Sequence, residues 1–167
     1  LGECAALSRF NAGEVFTVGS VTVRSVAVPH DAREPCQYRL AAGGRELGVL
    51  TDLGSVTPHV VAAFRGCQGL VLEFNHDSAM LAAGAYPPAL KRRVGGDWGH
   101  LNNRQASELL AALDGPALRH LVIAHMSEQN NSRAAVREVL AAEHPAWLER
   151  AHWACQGDGF GWLPLDG

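Results

Sequence analysis

Leu70-Val-Leu-Glu-Phe-Asn-His-Asp77 is the stretch on which the reading of this chain turns. Its first five residues have the length and apolar density of a buried strand. The character then changes at once: Glu73, Asn75, His76 and Asp77 place four polar side chains within five positions. A core does not choose such a cluster, whereas a solvent-facing cleft does. The plainer alternative is an Asn/Asp helix cap beside one exposed histidine. The same pattern recurs at His120-Leu-Val-Ile-Ala124, an apolar strand followed directly by His125 and by the polar run Ser127-Glu-Gln-Asn-Asn131.

Outward from these two strands the chain divides into halves. The first half reads as an antiparallel meander. Glu14–Val18 and Val21–Val28 alternate apolar and polar residues around a Gly19-Ser20 turn, Gln37–Leu40 is a third strand, and Gly43-Gly44 leads into Leu47–Leu50. The second half alternates helix and strand. Thr57-Pro58 caps a helix running to Phe64, Asn102 caps one running to Leu113, and Ser132 caps one running to Glu143 near Pro145. The tail from Ala151 to Leu165 reads as a strand and a Gly-rich loop. The class is therefore α/β (α+β), a sheet with helices packed on it, in one unit spanning residues 1–167.

Composition narrows the function. The 14 Lys+Arg and 17 Asp+Glu residues give a net charge of −3, too balanced for a polybasic DNA-coating protein. With 47% hydrophobic and 19% charged residues the chain can build a core. No apolar run approaches the roughly 18–20 residues that cross a bilayer, so no membrane partner is expected. Cys4, Cys36, Cys67 and Cys155 form no CxxC pair, and Leu1-Gly-Glu-Cys4 lacks the basic and apolar regions of a secretory signal. A reducing, cytoplasmic setting is the expectation.

Polar residues gather at strand ends in four places. His30 and Asp31 follow the strand ending at Val28; Asp52 follows the strand ending at Leu50, with Gly54 permitting a tight turn; Glu73 to Asp77 and His125 follow the two apolar strands. Imidazole and carboxylate groups held there suit metal ligation or general-base work, although His30 taken alone reads as an ordinary loop histidine and Asp52 alone also suits a turn or helix cap. A fifth feature is Lys91-Arg-Arg93 followed by Gly95-Gly-Asp-Trp-Gly-His100: three cations able to neutralise phosphates, or a solvated helix face. His120 and His144 receive no role. P-loop, HExxH, GxSxG, GxGxxG and EF-hand patterns are absent. What survives is a set of His and Asp residues whose nitrogen and oxygen donors suit Zn²⁺, Mn²⁺ or Fe.

Six segments together resemble the metallo-β-lactamase-fold hydrolases, and within them the YycJ/WalJ-like branch: PHDAREP (29–35), TDLG (51–54), LEFNHD with ML (72–77, 80–81), YPPALKRR (86–93), GHLNN (99–103) and AHMSEQNN (124–131). The resemblance covers roughly residues 14–140. It implies an αββα sandwich, of which this chain corresponds to the C-terminal part, because none of the eight histidines forms the family's upstream HxHxDH motif. It implies His30, Asp52 and His125 as metal ligands, with Asp52 bridging two divalent ions, Zn or Mn, around a shared hydroxide. His76 and His100 match substrate-side residues, and together with Asp52 they are the candidate catalytic groups. Lys91, Arg92 and Arg93 are candidates for steering a nucleic-acid backbone. The implied activity is a phosphodiesterase or DNA exonuclease, linked to DNA repair. A metallo-hydrolase of a small cyclic phosphodiester, another ester or a lactam is the alternative, as is a non-catalytic fragment. Because each half of such a sandwich covers the other's sheet, self-association or a separately supplied N-terminal half is also expected.

Overall fold

The structure, a computed structural model, describes residues 7–155, 157 and 159–165; Cys4 lies outside them. One seven-stranded mixed sheet runs in chain order: β1 (Val15–Val18), β2 (Val21–Ala27), β3 (Cys36–Ala42), β4 (Arg45–Leu50), β5 (Gly69–Glu73), β6 (His120–Ala124) and β7 (His152–Trp153). The first four strands form the expected antiparallel meander, while β4 through β7 pair in parallel. Consequently β2, β4, β5 and β6 all point the same way. Their C-terminal ends lie along one edge of the sheet, and that edge carries all the strand-end polar clusters. Ligand sites in open sheets with parallel strands form outside this edge.

Helices α1 (Pro58–Phe64), α4 (Asn103–Leu113), α5 (Arg133–Glu143) and α6 (Pro145–Leu148) cover one face of the sheet. Their caps follow from sequence. The Thr57 hydroxyl accepts from the Val60 N–H, Ser132 does the same for Ala135, and Asn102 forms a reciprocal capping box with Gln105. Alternate strand residues Val26, Leu50, Leu70, Leu72, Leu121 and Ile123 meet Phe64, Leu109, Leu110, Val136 and Leu140 in a single core.

The opposite face is also apolar. Val21, Tyr38, Leu40, Leu47, Val49 and Val71 point away from the helices and remain half-buried. Phe10 covers a corner of this face, its ring 4.8 Å from that of Phe16. Two short helices, α2 (Ser78–Ala83) and α3 (Pro88–Val94), lie between β5 and α4. The sequence signals them only as alternatives, an Asp cap and a solvated basic face. In the structure Asp77 caps α2 through the Met80 N–H, and Lys91, Arg92 and Arg93 fill the last turn of α3. No helix among the described residues is long and apolar enough to cross a membrane.

Candidate metal centre

Four segments meet at the C-terminal edge of the sheet. His30 extends from the end of β2, Asp52 lies two residues beyond β4, Glu73 closes β5, and His125 follows β6 directly. Asp52 (φ 51°) and His125 (φ 53°) are the two non-glycine residues with left-handed backbone among those described. Such a conformation costs about 1–2 kcal/mol, and strain of this kind collects where a side chain must be aimed. The fifth participant, His100, arrives from the loop between α3 and α4. That loop is packed backbone against backbone: a Cβ on Gly54 would lie 2.4 Å from the Asp97 carbonyl oxygen, and one on Gly99 would lie 2.1 Å from that of Arg93. Glycine at 54 and 99 is what lets the Asp52 turn and the His100 loop approach each other.

Donor atoms of Asp52, Glu73, His100 and His125 lie within 4.8 Å of one another. His30 joins from the side: its Nε2 is 3.7 Å from Asp52 Oδ1, and its ring centroid is 5.1 Å from that of His100. His100 Nδ1 and His125 Nδ1 are 3.8 and 3.9 Å from the same Asp52 oxygen. Thus His30, Asp52, His100 and His125 converge from distant parts of the chain. Among the described residues no other group of three or more His, Cys, Asp or Glu side chains gathers so closely.

Glu73 organises the cluster. It is fully buried, and all its hydrogen bonds are charge-assisted. One oxygen accepts the Leu53 and Leu101 backbone N–H groups, each at 3.1 Å. The other accepts from His100 Nδ1 at 2.9 Å and His125 Nδ1 at 2.7 Å. Burial pushes the Glu73 carboxyl up, but the hydrogen bonds from His100 and His125, the His100 charge and the Leu101 N–H together bring it below its usual value. Glu73 is therefore a carboxylate and accepts from both rings. In turn, its hydrogen bond raises the His125 imidazolium, against an opposing effect of burial and with help from the charges of Glu73 and Asp52. His30 is fixed differently: its Nδ1 lies 2.9 Å from the Gly99 carbonyl oxygen, which only accepts. Each of the three rings thus donates from Nδ1, to the Gly99 carbonyl or to Glu73, and no hydrogen bond to its Nε2 is present among the described residues, an orientation that metal-binding histidines use. This donor set fits a divalent cation.

Around this centre the motif residues act as struts. Asn75 Nδ2 donates to the His125 carbonyl at 3.0 Å, and the Ser127 N–H donates to the Asn75 carbonyl. Asn103 and Asn131 exchange side-chain hydrogen bonds, tying GHLNN to SEQNN. Asp31 pairs with Arg93, whose hydrogen bond holds its carboxyl below the usual range.

His76 stands apart. Its backbone bridges to Asn102, and its ring, 2% exposed, faces the space between α2 and α3 rather than the cluster. Burial keeps its imidazolium below its ordinary value, and its Nδ1 has no hydrogen-bond partner among the described residues. Lys91 and Arg92 border the same space, whereas Arg93 turns towards His30 and Asp31. Sequence reading noted Glu73 within its polar cluster but gave it no role. The signal was an acid inside an otherwise apolar strand, which demands partners.

A family profile described as "Beta-lactamase superfamily domain" matches residues 4–126. This chain belongs to that superfamily. Its fold is the metallo-β-lactamase fold: it aligns with the metallo-β-lactamase fold protein YhfI of Bacillus subtilis at TM-score 0.66 (15% identity; 92% of this chain, 52% of that one). It also aligns with Zn²⁺-bound PqqB of Methylobacterium extorquens at TM-score 0.64 (18% identity; 92% and 55%). Within the superfamily it is YycJ/WalJ-like. It is 37% identical over 128 residues to Exodeoxyribonuclease YycJ of Bacillus anthracis, covering 77% of this chain and 48% of the relative. It is 32% identical over 122 residues to Exodeoxyribonuclease WalJ of Streptococcus pneumoniae, covering 73% and 45%. The chain thus spans about half the length of these relatives.

Proposed function

We propose that this chain supplies one side of the active site of a metal-dependent phosphodiesterase that acts on DNA as an exonuclease, with His30, Asp52 and His125 as ligands and Zn²⁺ or Mn²⁺ as the cation. The observation that carries the reading is the convergence of the His30, His100 and His125 rings on one oxygen of Asp52, at 3.7–3.9 Å, with no backbone donor to that carboxylate among the described hydrogen bonds. The names of the curated relatives favour DNA as substrate.

A bound divalent cation supplies Lewis-acid stabilisation of phosphoryl charge and a lowered water pKa. The protein's own groups do the rest. Asp52, aimed by its left-handed turn, presents its carboxylate to the centre. His100, braced at Nδ1 by Glu73, can act through Nε2 as a general acid toward a leaving oxygen when its ring is protonated. Of the two substrate-side histidines His100 suits this role, because His76 is buried and turned away from the cluster. Arg93, held by Asp31, presents positive charge at the rim of the cleft.

The half-buried apolar face of the sheet supports a covering protein layer, one that also brings further ligands. We place the protein in the cytoplasm, a setting consistent with the free thiols of Cys36 and Cys67.

The test is a substrate panel of DNA, cyclic nucleotides and lactams, assayed on the natural full-length protein with added Mn²⁺ or Zn²⁺. Metal-dependent, salt-sensitive release of nucleotides from DNA ends is the expected result. Turnover of a cyclic nucleotide or lactam with DNA untouched would replace the nuclease reading.

A further inference from the structure

Helix α3 is a ridge with a cavity on each side. Towards the metal centre, Leu90, Arg93 and Val94 line a small cleft with His30 and His100. On the other side, a cavity of about 500 Å³ is bordered by His76, Ser78, Lys91, Arg92, Gly95 and Asn102. This second cavity has no part in the metal-centre chemistry, yet its chemistry is specific. His76 is buried with Nδ1 unpartnered. Its Nε2 lies on the side of Gly95, 3.9 Å from where a Cβ of that residue would stand. Lys91 Nζ is anchored by one hydrogen bond to the Ala82 carbonyl at 2.5 Å, which leaves its other two N–H groups to donate. Arg92 is exposed and forms no ion pair among those described. Asp77 is the acid beside this cluster, and its carboxylate is occupied in capping α2.

We propose that this cavity is a phosphate subsite, in which Lys91, Arg92 and the His76 ring hold a nucleic-acid phosphate other than the one being cleaved. Lysine as a point charge, arginine as a fork and an imidazole N–H are complementary to a tetrahedral oxyanion. The helix between the two cavities makes the argument geometric. Arg92 and Arg93, about 100° apart on one turn, border different cavities, so a strand crossing α3 meets Arg92 on one flank and the Asp31-paired Arg93 on the other. The phosphate belongs either to an internal diester or to a terminal monoester. The inference rests on the nuclease reading for its biological ligand but not for its chemistry.

The experiment therefore has two arms, both on the natural full-length protein. In the first, inorganic phosphate is titrated into the metal-free protein while the His76 ring resonances, assigned with His76→Gln, are followed by NMR. Saturable shifts are expected, and Arg92→Ala should weaken them roughly tenfold. In the second, the metal-loaded protein cleaves oligonucleotides with a 5′-phosphate or a 5′-hydroxyl, and bis(p-nitrophenyl) phosphate. Arg92→Ala should raise KM for oligonucleotides roughly tenfold with a smaller change in kcat, and lower the log–log salt slope by about one. Its effect on the small diester, which carries a single phosphate, should be several-fold weaker. An effect confined to 5′-phosphorylated strands assigns the subsite to a terminal monoester, and an equal effect on both assigns it to an internal diester. If the ring responds to phosphate but no oligonucleotide is cut, the nuclease reading falls and the subsite stands. If oligonucleotides are cut with unchanged KM and salt slope and the ring ignores phosphate, the subsite falls and the nuclease reading stands.

Discussion

Two carboxylates sit at the ends of neighbouring parallel strands, and they have opposite lives. Glu73 is fully buried, and both of its oxygens are spent on two backbone N–H groups and two imidazoles. Asp52 follows the adjacent strand, 45% exposed at its side chain, with three histidine rings at 3.7–3.9 Å and no backbone donor among the described hydrogen bonds. Burial decides the difference. A carboxylate inside a strand must be satisfied by the protein itself; one lifted out by a left-handed turn keeps its lone pairs for something that arrives later. The buried acid orients the neighbouring rings, and the exposed acid keeps the unspent lone pairs that ligation requires.

Breaking the buried member should have the largest effect. Glu73→Ala leaves two backbone N–H groups and two ring N–H groups without an acceptor. The metal-free protein should lose about 3–5 kcal/mol in chemical denaturation, and metal affinity should fall roughly 10–100-fold as the rings lose their orientation. Glu73→Gln separates shape from charge, since its amide must point a donor at rings that already donate. The acid limb gives a second readout. In the folded state the Glu73 carboxyl lies below its ordinary value, which is close to that of the unfolded chain. Its contribution is therefore fully present above the unfolded value and is lost as pH falls through the folded one. Glu73→Gln should flatten that part of the stability–pH curve. A wild-type stability and an unchanged acid limb in Glu73→Gln would remove Glu73 from the centre of the site.

How much of this was legible beforehand follows from the same contrast. His30, Asp52 and His125 stand just past apolar strands, where a period-two pattern stops and polar residues begin; they could be found by reading strand ends. Glu73 lies within the pattern that defines β5. Its neighbours Leu72 and Phe74 are core residues, so the acid hides in a run that reads as apolar. The 11-residue cover helices α4 and α5 carry capping residues and enough turns to show their periodicity, and seven-residue α1 is marked by its Thr57-Pro58 start. The six- and seven-residue helices α2 and α3 are too short to show a period, and only Asp77 and Pro87-Pro88 mark them. That shortness also misdirects His76. Sequence proximity puts it with Glu73, but β5 has ended and α2 is being capped, so its ring turns to the far side of α3.

Asp52 sharpens the comparison from the exposed side. Asp52→Asn keeps the side-chain shape, and Asn tolerates left-handed backbone. The stability of the metal-free protein should therefore move by no more than about 0.5 kcal/mol. Paired-metal binding, read by calorimetry or metal analysis, should be lost together with activity, because the charge that two cations share is gone. Asp52→Ala should do the same and add about 1 kcal/mol of backbone strain. Near-normal metal content and rate in either variant would reject the assignment of Asp52 as the shared ligand.

The smallest effect on chemistry is expected at a histidine that the structure buries for another purpose. His144 joins α5 to α6, and its Nε2 lies 3.0 Å from the Ser107 carbonyl on α4, to which it donates. Ser107 Oγ in turn donates to Glu143 at 2.7 Å, so the three residues lock α4 to α5. None of them reaches the metal cluster. His144→Ala should lower stability by about 1–2 kcal/mol, the usual toll of one buried hydrogen bond and the space behind it. Turnover per folded molecule should hold. The measurement pairs a denaturation curve with kcat corrected for the folded fraction. A large fall in corrected kcat would mean that the chemistry lies between α4 and α5, and that the gathering around Asp52 and Glu73 serves the fold alone.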